Sequence, residues 1–284
     1  MSRTSGLYPS PYSLSRYRNL LLAASICVLT LFAGVLGARH GVGPVFGVHQ
    51  GWQNGFDFAI ESHLNQYINR WPRFDSAMLL LVNRNLLKGA PIVFLCWAAF
   101  FEKRHTLTEN RAKLVATIPL AIAGVVAARV LAKILPFRER PFRTIALHFQ
   151  TPHGMSTERL YGWSSFPSDH AVLFIALAVG VFFASRRLGL LALGYVVLCI
   201  MAPRVYLGWH WPTDVLMGAV LGVAFAAGAS IPAYCNFVWR WTERAWRSYP
   251  GIFAGAMFLL SYEITDLFDA PISILSMLLK HKNL

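Results

Sequence analysis

The stretch LVATIPLAIAGVVAARVLA, residues 114–132, decides the fold. It approaches the roughly 20 residues that carry a helix across a hydrocarbon core. Six further apolar runs share the chain: residues 20–38, 89–101, 171–184, 190–202, 215–233 and 252–264. Several are short, and their ends must borrow flanking residues. A single short run is as compatible with a buried core helix of a soluble protein. Seven of them in 284 residues that are 56% hydrophobic and 14% charged argue against a soluble globule. The expected architecture is all-α: a polytopic membrane bundle of about six or seven spans, forming one integral membrane domain over residues 1–284. The first run also has features of a cleaved signal peptide, with Arg16 and Arg18 ahead of it and Gly37-Ala38 at its end. Its length favours a retained anchor.

A formal charge of +13 invites a nucleic-acid reading. Its distribution opposes that. Lys103, Arg104, Arg111 and Lys113 flank one short loop, Arg186 and Arg187 fill another, and Arg240, Arg244 and Arg247 follow the sixth run. With a cytoplasmic amino terminus, alternation puts all three on the inner side, as the positive-inside rule asks. The expected partners are the bilayer and a membrane lipid, with no nucleic acid. Cys27, Cys96, Cys199 and Cys235 lie in or beside apolar runs and read as small hydrophobes, giving neither a disulfide framework nor a metal site.

Residues 39–56 are glycine-rich and read as an irregular outer loop. Phe56, Ile60, Leu64 and Ile68 follow at helical spacing, fitting a helix that lies along the interface or packs on the bundle. Trp239, Trp241 and Trp246 alternate with arginines and read as headgroup anchors. Residues 134–167 form a long outer loop rich in cations, against the positive-inside rule, so those cations need a local reason.

Three polar stretches lie at helix ends on this outer side. In Lys133-Ile-Leu-Pro-Phe-Arg-Glu-Arg140-Pro141, Pro136 should stop the helix near Leu135, leaving Lys133 at its end and Arg140 free to fold back. Alone, such cations simply snorkel to headgroups. In Phe166-Pro167-Ser168-Asp169-His170, Ser168 is a favoured N-cap and the amides of Asp169, His170 and Ala171 lack intrahelical acceptors, a ready anion site. Capping explains the serine but not a histidine in the first turn of a membrane helix. In RVYLGWHWPTD, residues 204–214, Gly208 permits a turn and Pro212 suits the first helical position. Asp214, four residues after His210, can fix the imidazole tautomer. A capping aspartate and an interfacial Trp-His-Trp belt is the plainer reading of that stretch alone. Together, three cations, neutral donors, an oriented histidine and a second histidine make the kit for phosphoryl transfer without a metal or other cofactor. His148 and His153 lack the spacing of a helical ligand pair.

The ordered patterns Lys-x6-Arg-Pro, Pro-Ser-x-His and Arg-x5-His-x3-Asp resemble the type 2 phosphatidic acid phosphatase family, which shares its active site with glucose-6-phosphatase and the vanadium haloperoxidases. The resemblance covers a core of residues 113–233, with amino-terminal spans and an interfacial segment over 1–112. It implies that His210 attacks phosphorus to form a phosphohistidine, that Asp214 holds its ring, and that His170 serves as general acid and then base. Lys133, Arg140, Arg204, Ser168 and the amide of Asp169 would bind the phosphate. The family usually has glycine in place of Asp169 and serine in place of Pro203. The Pro-Ser-Asp-His variant looks like some bacterial undecaprenyl-diphosphate phosphatases. The expectation is therefore a lipid phosphate or diphosphate phosphatase of a bacterial plasma membrane, its site on the outer, periplasmic face, with Arg138, Arg143, Arg159 and His153 as further headgroup contacts or as plain loop charges. A lipid phosphotransferase, a lipid A phosphatase and a non-catalytic lipid-phosphate transporter are the rival readings.

Overall fold

The computed structural model describes residues 55–102, 107–156, 158–160 and 162–267. The expected first span, Cys27, most of the glycine-rich loop, Lys103, Arg104 and the tail beyond 267 lie outside the described residues. All regular structure among the described residues is helical: α1 (Gly55–Asn65), α2 (Pro72–Asn83), a single turn (Asn85–Lys88), α3 (Ala90–Phe101), α4 (Leu107–Ile134), α5 (Asp169–Ala184), α6 (Arg186–Tyr195), a π turn (Val196–Met201), α7 (Ala202–Tyr206), α8 (Pro212–Ala227), α9 (Pro232–Ser248) and α10 (Pro250–Asp266). Three continuous helical stretches are long and apolar enough to cross a membrane: Glu109–Ile134, Arg186–Tyr206 and Pro212–Ser230. Ala90–Phe101 and Asp169–Ala184 are shorter apolar helices. The protein is an all-α integral membrane bundle.

α5 is its axis. From Ala171 to Val181 every residue of this helix is buried, which suits a sequence that is apolar on all sides. It packs along α4 on one side and α8 on the other. Small residues allow that approach, as lipid-embedded helices require. A Cβ on Gly218 would stand 2.4 Å from the carbonyl oxygen of Ser168, and one on Gly222 would stand 2.7 Å from that of Val172. The starts of α5 and α8 are thereby pressed together, and the Ser168 amide donates to the Asp214 carbonyl at 3.1 Å.

α4 keeps Pro119 in its interior, tolerable where neighbouring helices and lipid-side geometry resatisfy the backbone. It ends at Ile134, two residues before Pro136. Pro203 has no N–H to continue the ladder toward Cys199, and the chain widens into the π turn directly ahead of it.

Several expectations are corrected. The face of α1 that turns inward is the polar one: Asp57, Glu61 and Asn65 are buried, while Phe56 is exposed and Ile60 and Leu64 are half-buried. The apolar face was therefore the outer one, and α1 packs inward through carboxylates. α2 was not anticipated, because its apolar run is only a few residues long. Trp239 is core rather than an interfacial anchor, whereas Trp241 and Trp246 are exposed. Arg186, Arg187, Arg240, Arg244 and Arg247 are all exposed.

Candidate active site

Three guanidinium groups, those of Arg138, Arg140 and Arg204, are buried at the end of the bundle where α4 stops and α5 and α8 begin. Arg140, on the loop after α4, donates through Nη1 to the Trp209 carbonyl at 2.5 Å, and its buried Nε has no partner. Arg204, in α7, is 1% exposed and donates through Nη1 to the Ile200 carbonyl at 2.7 Å. Its Nε and Nη2 are buried without partners. Leaving a buried charged donor unmatched costs several kcal/mol per group by the usual reckoning, so convergent orphan N–H groups are the signature of an anion site.

His210 sits between Arg140 and Arg204 in the turn from α7 to α8. Gly208 adopts φ +65°, a left-handed conformation in which a Cβ would strike the Phe149 ring. The turn closes on Arg204, whose carbonyl accepts from the amides of Trp209 and His210. The Nδ1 of His210 lies 2.7 Å from the Ser165 carbonyl. That oxygen can only accept, so Nδ1 carries the proton and the unprotonated Nε2 faces Arg140 Nη1 at 3.5 Å. The Asp214 carboxylate reaches the same Nδ1 at 3.6 Å, as a charge rather than as the hydrogen-bond acceptor that the i, i+4 spacing suggested. Burial lowers the pKa of His210; Asp214 opposes that, and the charge on Arg140 reinforces it. With its pKa held below the ordinary 6.5, the ring is neutral at pH 7.

Asp214 is fully buried and answers to other groups. Its Oδ2 accepts from the Trp211 amide at 2.8 Å, and its Oδ1 from Nη1 of Arg138. Arg138 is 2% exposed, not a loop cation facing headgroups as its position suggested. Its Nη2 donates to Asp57 Oδ2 at 2.5 Å, and its plane lies 5.5 Å from the Trp211 ring centroid. Asp57 also caps α8, accepting from the Thr213 amide at 3.0 Å and the Thr213 hydroxyl at 2.5 Å. Trp211 is therefore buried support, its indole N–H donating to the Glu139 carbonyl at 2.8 Å, and not a belt residue.

Ser168, fully buried, is the N-cap of α5, with its hydroxyl accepting from the Ala171 amide at 3.5 Å. Asp169 and His170 occupy the first turn and are partly open. The Asp169 side chain is committed to its neighbours: Oδ1 stands 2.9 Å from His170 Nδ1, and Oδ2 accepts from Arg129 Nε at 3.2 Å.

The structure brings Arg140, Arg204, His210, Asp214, Ser168, Asp169 and His170 to one end of the bundle, where the charge on Arg204 acts on His170 and that on Asp169 acts on His210. Lys133 ends α4 with an exposed side chain that has no hydrogen-bond or ion-pair partner among the described residues. Sequence reasoning missed Asp57, Arg138, Ser165 and Lys88, the last buried and electrostatically coupled to His170. A buried-polar pattern at i, i+4 on α1, Asp57-Glu61-Asn65, was the available signal. Among the described residues no three His, Cys, Asp or Glu side chains cluster as a metal site.

Residues 114–247 match the family model described as the PAP2 superfamily. An undecaprenyl-diphosphatase, BcrC, of Bacillus subtilis (strain 168) is 27% identical over 149 residues, covering 52% of this chain and 69% of its own length. A bacitracin transport permease protein, BcrC, of Bacillus licheniformis is 31% identical over 123 residues, covering 42% of this chain and 55% of its own. No solved structure matches the chain. Matched family model, buried cations and membrane helices agree in supporting a lipid phosphatase of the PAP2 superfamily over residues 114–247.

Proposed function

We propose that the chain hydrolyses a polyprenyl diphosphate, with undecaprenyl diphosphate as its substrate, through a phosphohistidine on His210 and with protein cations in place of a metal. The observation that carries this reading is the set of orphan N–H groups on Arg140 and Arg204 beside the unprotonated Nε2 of His210. The name of the Bacillus subtilis relative supports the choice of lipid. Nε2 attacks the terminal phosphorus as the bridging P–O bond breaks, and His170, entering the step as the imidazolium, gives its Nε2 proton to the departing lipid phosphate. Water then attacks the phosphohistidine, His170 takes a proton from it, and inorganic phosphate leaves as His210 recovers its lone pair. Arg140, Arg204 and Ser168 hold the equatorial oxygens, with the Asp169 amide beside them and Lys133 reaching in from the exposed rim. Asp214 and the Ser165 carbonyl stabilise the positive charge that develops on the ring.

Such a cradle at the mouth of the bundle takes a headgroup while the tail stays in the bilayer. We place it at the outer face of a bacterial plasma membrane, since the exposed arginines of the opposite end then lie inside. The test offers purified protein in detergent undecaprenyl diphosphate, phosphatidate, phosphatidylglycerophosphate and lipid A separately, with chelator present, and measures released phosphate against His210→Ala. Fastest release from undecaprenyl diphosphate, lost in the variant, is expected. A phosphorylated lipid product in place of free phosphate would identify a transferase, and tight binding without release a transporter.

A further inference from the structure

We infer that Asp169 is a positioning residue for His170: Arg129, Asp169 and His170 form a carboxylate–histidine relay that fixes the tautomer and orientation of the proposed general acid. The inference rests on the reading of His170 given above. The chain has an acid where the family usually has glycine, and its side chain does more than favour a helix dipole. One carboxylate oxygen faces His170 Nδ1 at 2.9 Å and the other accepts from Arg129 Nε at 3.2 Å. Arg129 also donates through Nη2 to the Leu267 carbonyl at 3.2 Å, at the end of α10. A carboxylate can only accept, so the proton sits on His170 Nδ1. Nε2 is left as the atom that carries the exchanged proton: the imidazolium gives it to the leaving oxygen, the neutral Nδ1–H tautomer results, and Nε2 then takes a proton from water. An ionisable residue in a membrane helix is costly, and Arg129 lies in the longest span. Its partner set explains it: it anchors the carboxylate that anchors the histidine. A capping acid alone needs no arginine from another helix, and glycine at position 169 would leave His170 free to choose either tautomer.

The relay is tested with Asp169→Asn, Asp169→Gly, His170→Ala and the Asp169→Asn/His170→Ala double variant, on undecaprenyl diphosphate and on p-nitrophenyl phosphate. Asp169→Asn should lower kcat on the lipid by at least about tenfold and leave KM within about twofold. It should cause no further loss in the His170→Ala background, because the two act as a unit. Asp169→Gly should resemble Asp169→Asn. The losses should be smaller for release of nitrophenolate, a leaving group that needs less acid assistance. Nitrogen-15 NMR of histidine-labelled protein should show His170 protonated at Nδ1 in the parent and a tautomer mixture in Asp169→Asn. Equal kcat in Asp169→Asn, or additive losses in the double variant, or an unchanged tautomer, would overturn the relay. Full activity of His170→Ala would instead overturn the acid–base reading of His170 itself.

Discussion

The Nδ1–H of His210 is donated to the backbone carbonyl of Ser165 at 2.7 Å, while Asp214 stands 3.6 Å from the same nitrogen. The proposed nucleophile is thus oriented by the loop that precedes α5, and the charge it would develop is balanced by α8, which follows it in the chain. His210→Asn can keep a donor near the Ser165 carbonyl, whereas His210→Ala strands a buried acceptor. Thermal unfolding in detergent should place His210→Asn within about 1 kcal/mol of the parent and His210→Ala about 1–3 kcal/mol below it, with phosphate release lost in both. Retained turnover in His210→Asn would remove His210 from the nucleophile's role.

Arg138 holds Asp57 and Asp214 with one guanidinium. Arg138→Ala leaves two buried carboxylates facing each other, a loss expected to cost about 3–5 kcal/mol. Arg138→Lys restores the charge without the fork that spans both partners, so it should fold but turn over at least about tenfold more slowly. A stability loss under about 1 kcal/mol in Arg138→Ala would show that the two carboxylates do not depend on it.

Glu61 is fully buried beside this pair, and neither of its carboxyl oxygens has a partner. Burial, with the charges on Asp57 and Asp214, pushes its pKa from 4.5 to about 9. The folded protein therefore holds one proton more than the unfolded chain between those values. Stability should fall as pH rises through that window, by up to about 1.4 kcal/mol per pH unit. Glu61→Gln should flatten the dependence. Parallel melting-temperature curves for parent and Glu61→Gln from pH 5 to 9 would contradict the assignment.

Gly218 and Gly222 let α8 touch the start of α5. Gly218→Ala would place a methyl 2.4 Å from the Ser168 carbonyl. The helices must separate, at about 1–3 kcal/mol, and the N-cap serine should move out of register with a large fall in turnover. Gly194→Ala is the control, since its Cβ meets open space and alanine favours helix. Equal activity of Gly218→Ala and the parent would mean that the contact does not set the site.

The sequence determined the helices and the site motifs. Apolar runs at 89–101, 114–132, 171–184, 190–202, 215–233 and 252–264 have no competing state in a bilayer, because only internally hydrogen-bonded segments survive there. Proline and serine at their ends placed Ser168 on a helix start and Arg140 and His210 in the chain between helices, where local backbone chemistry alone decides. The tertiary structure decided which charges serve which. Arg138 and Arg140 are two residues apart and look alike as letters, yet one is bound by Asp57 and Asp214 while the other holds the Trp209 carbonyl and faces Nε2 of His210. α1 reads from its spacing as a helix with an apolar face for either the interface or the bundle, yet the side that packs on the bundle is the carboxylate face. Periodicity locates a stripe, but only the partner on the opposite helix, here Arg138, makes a polar stripe the cheaper one to bury.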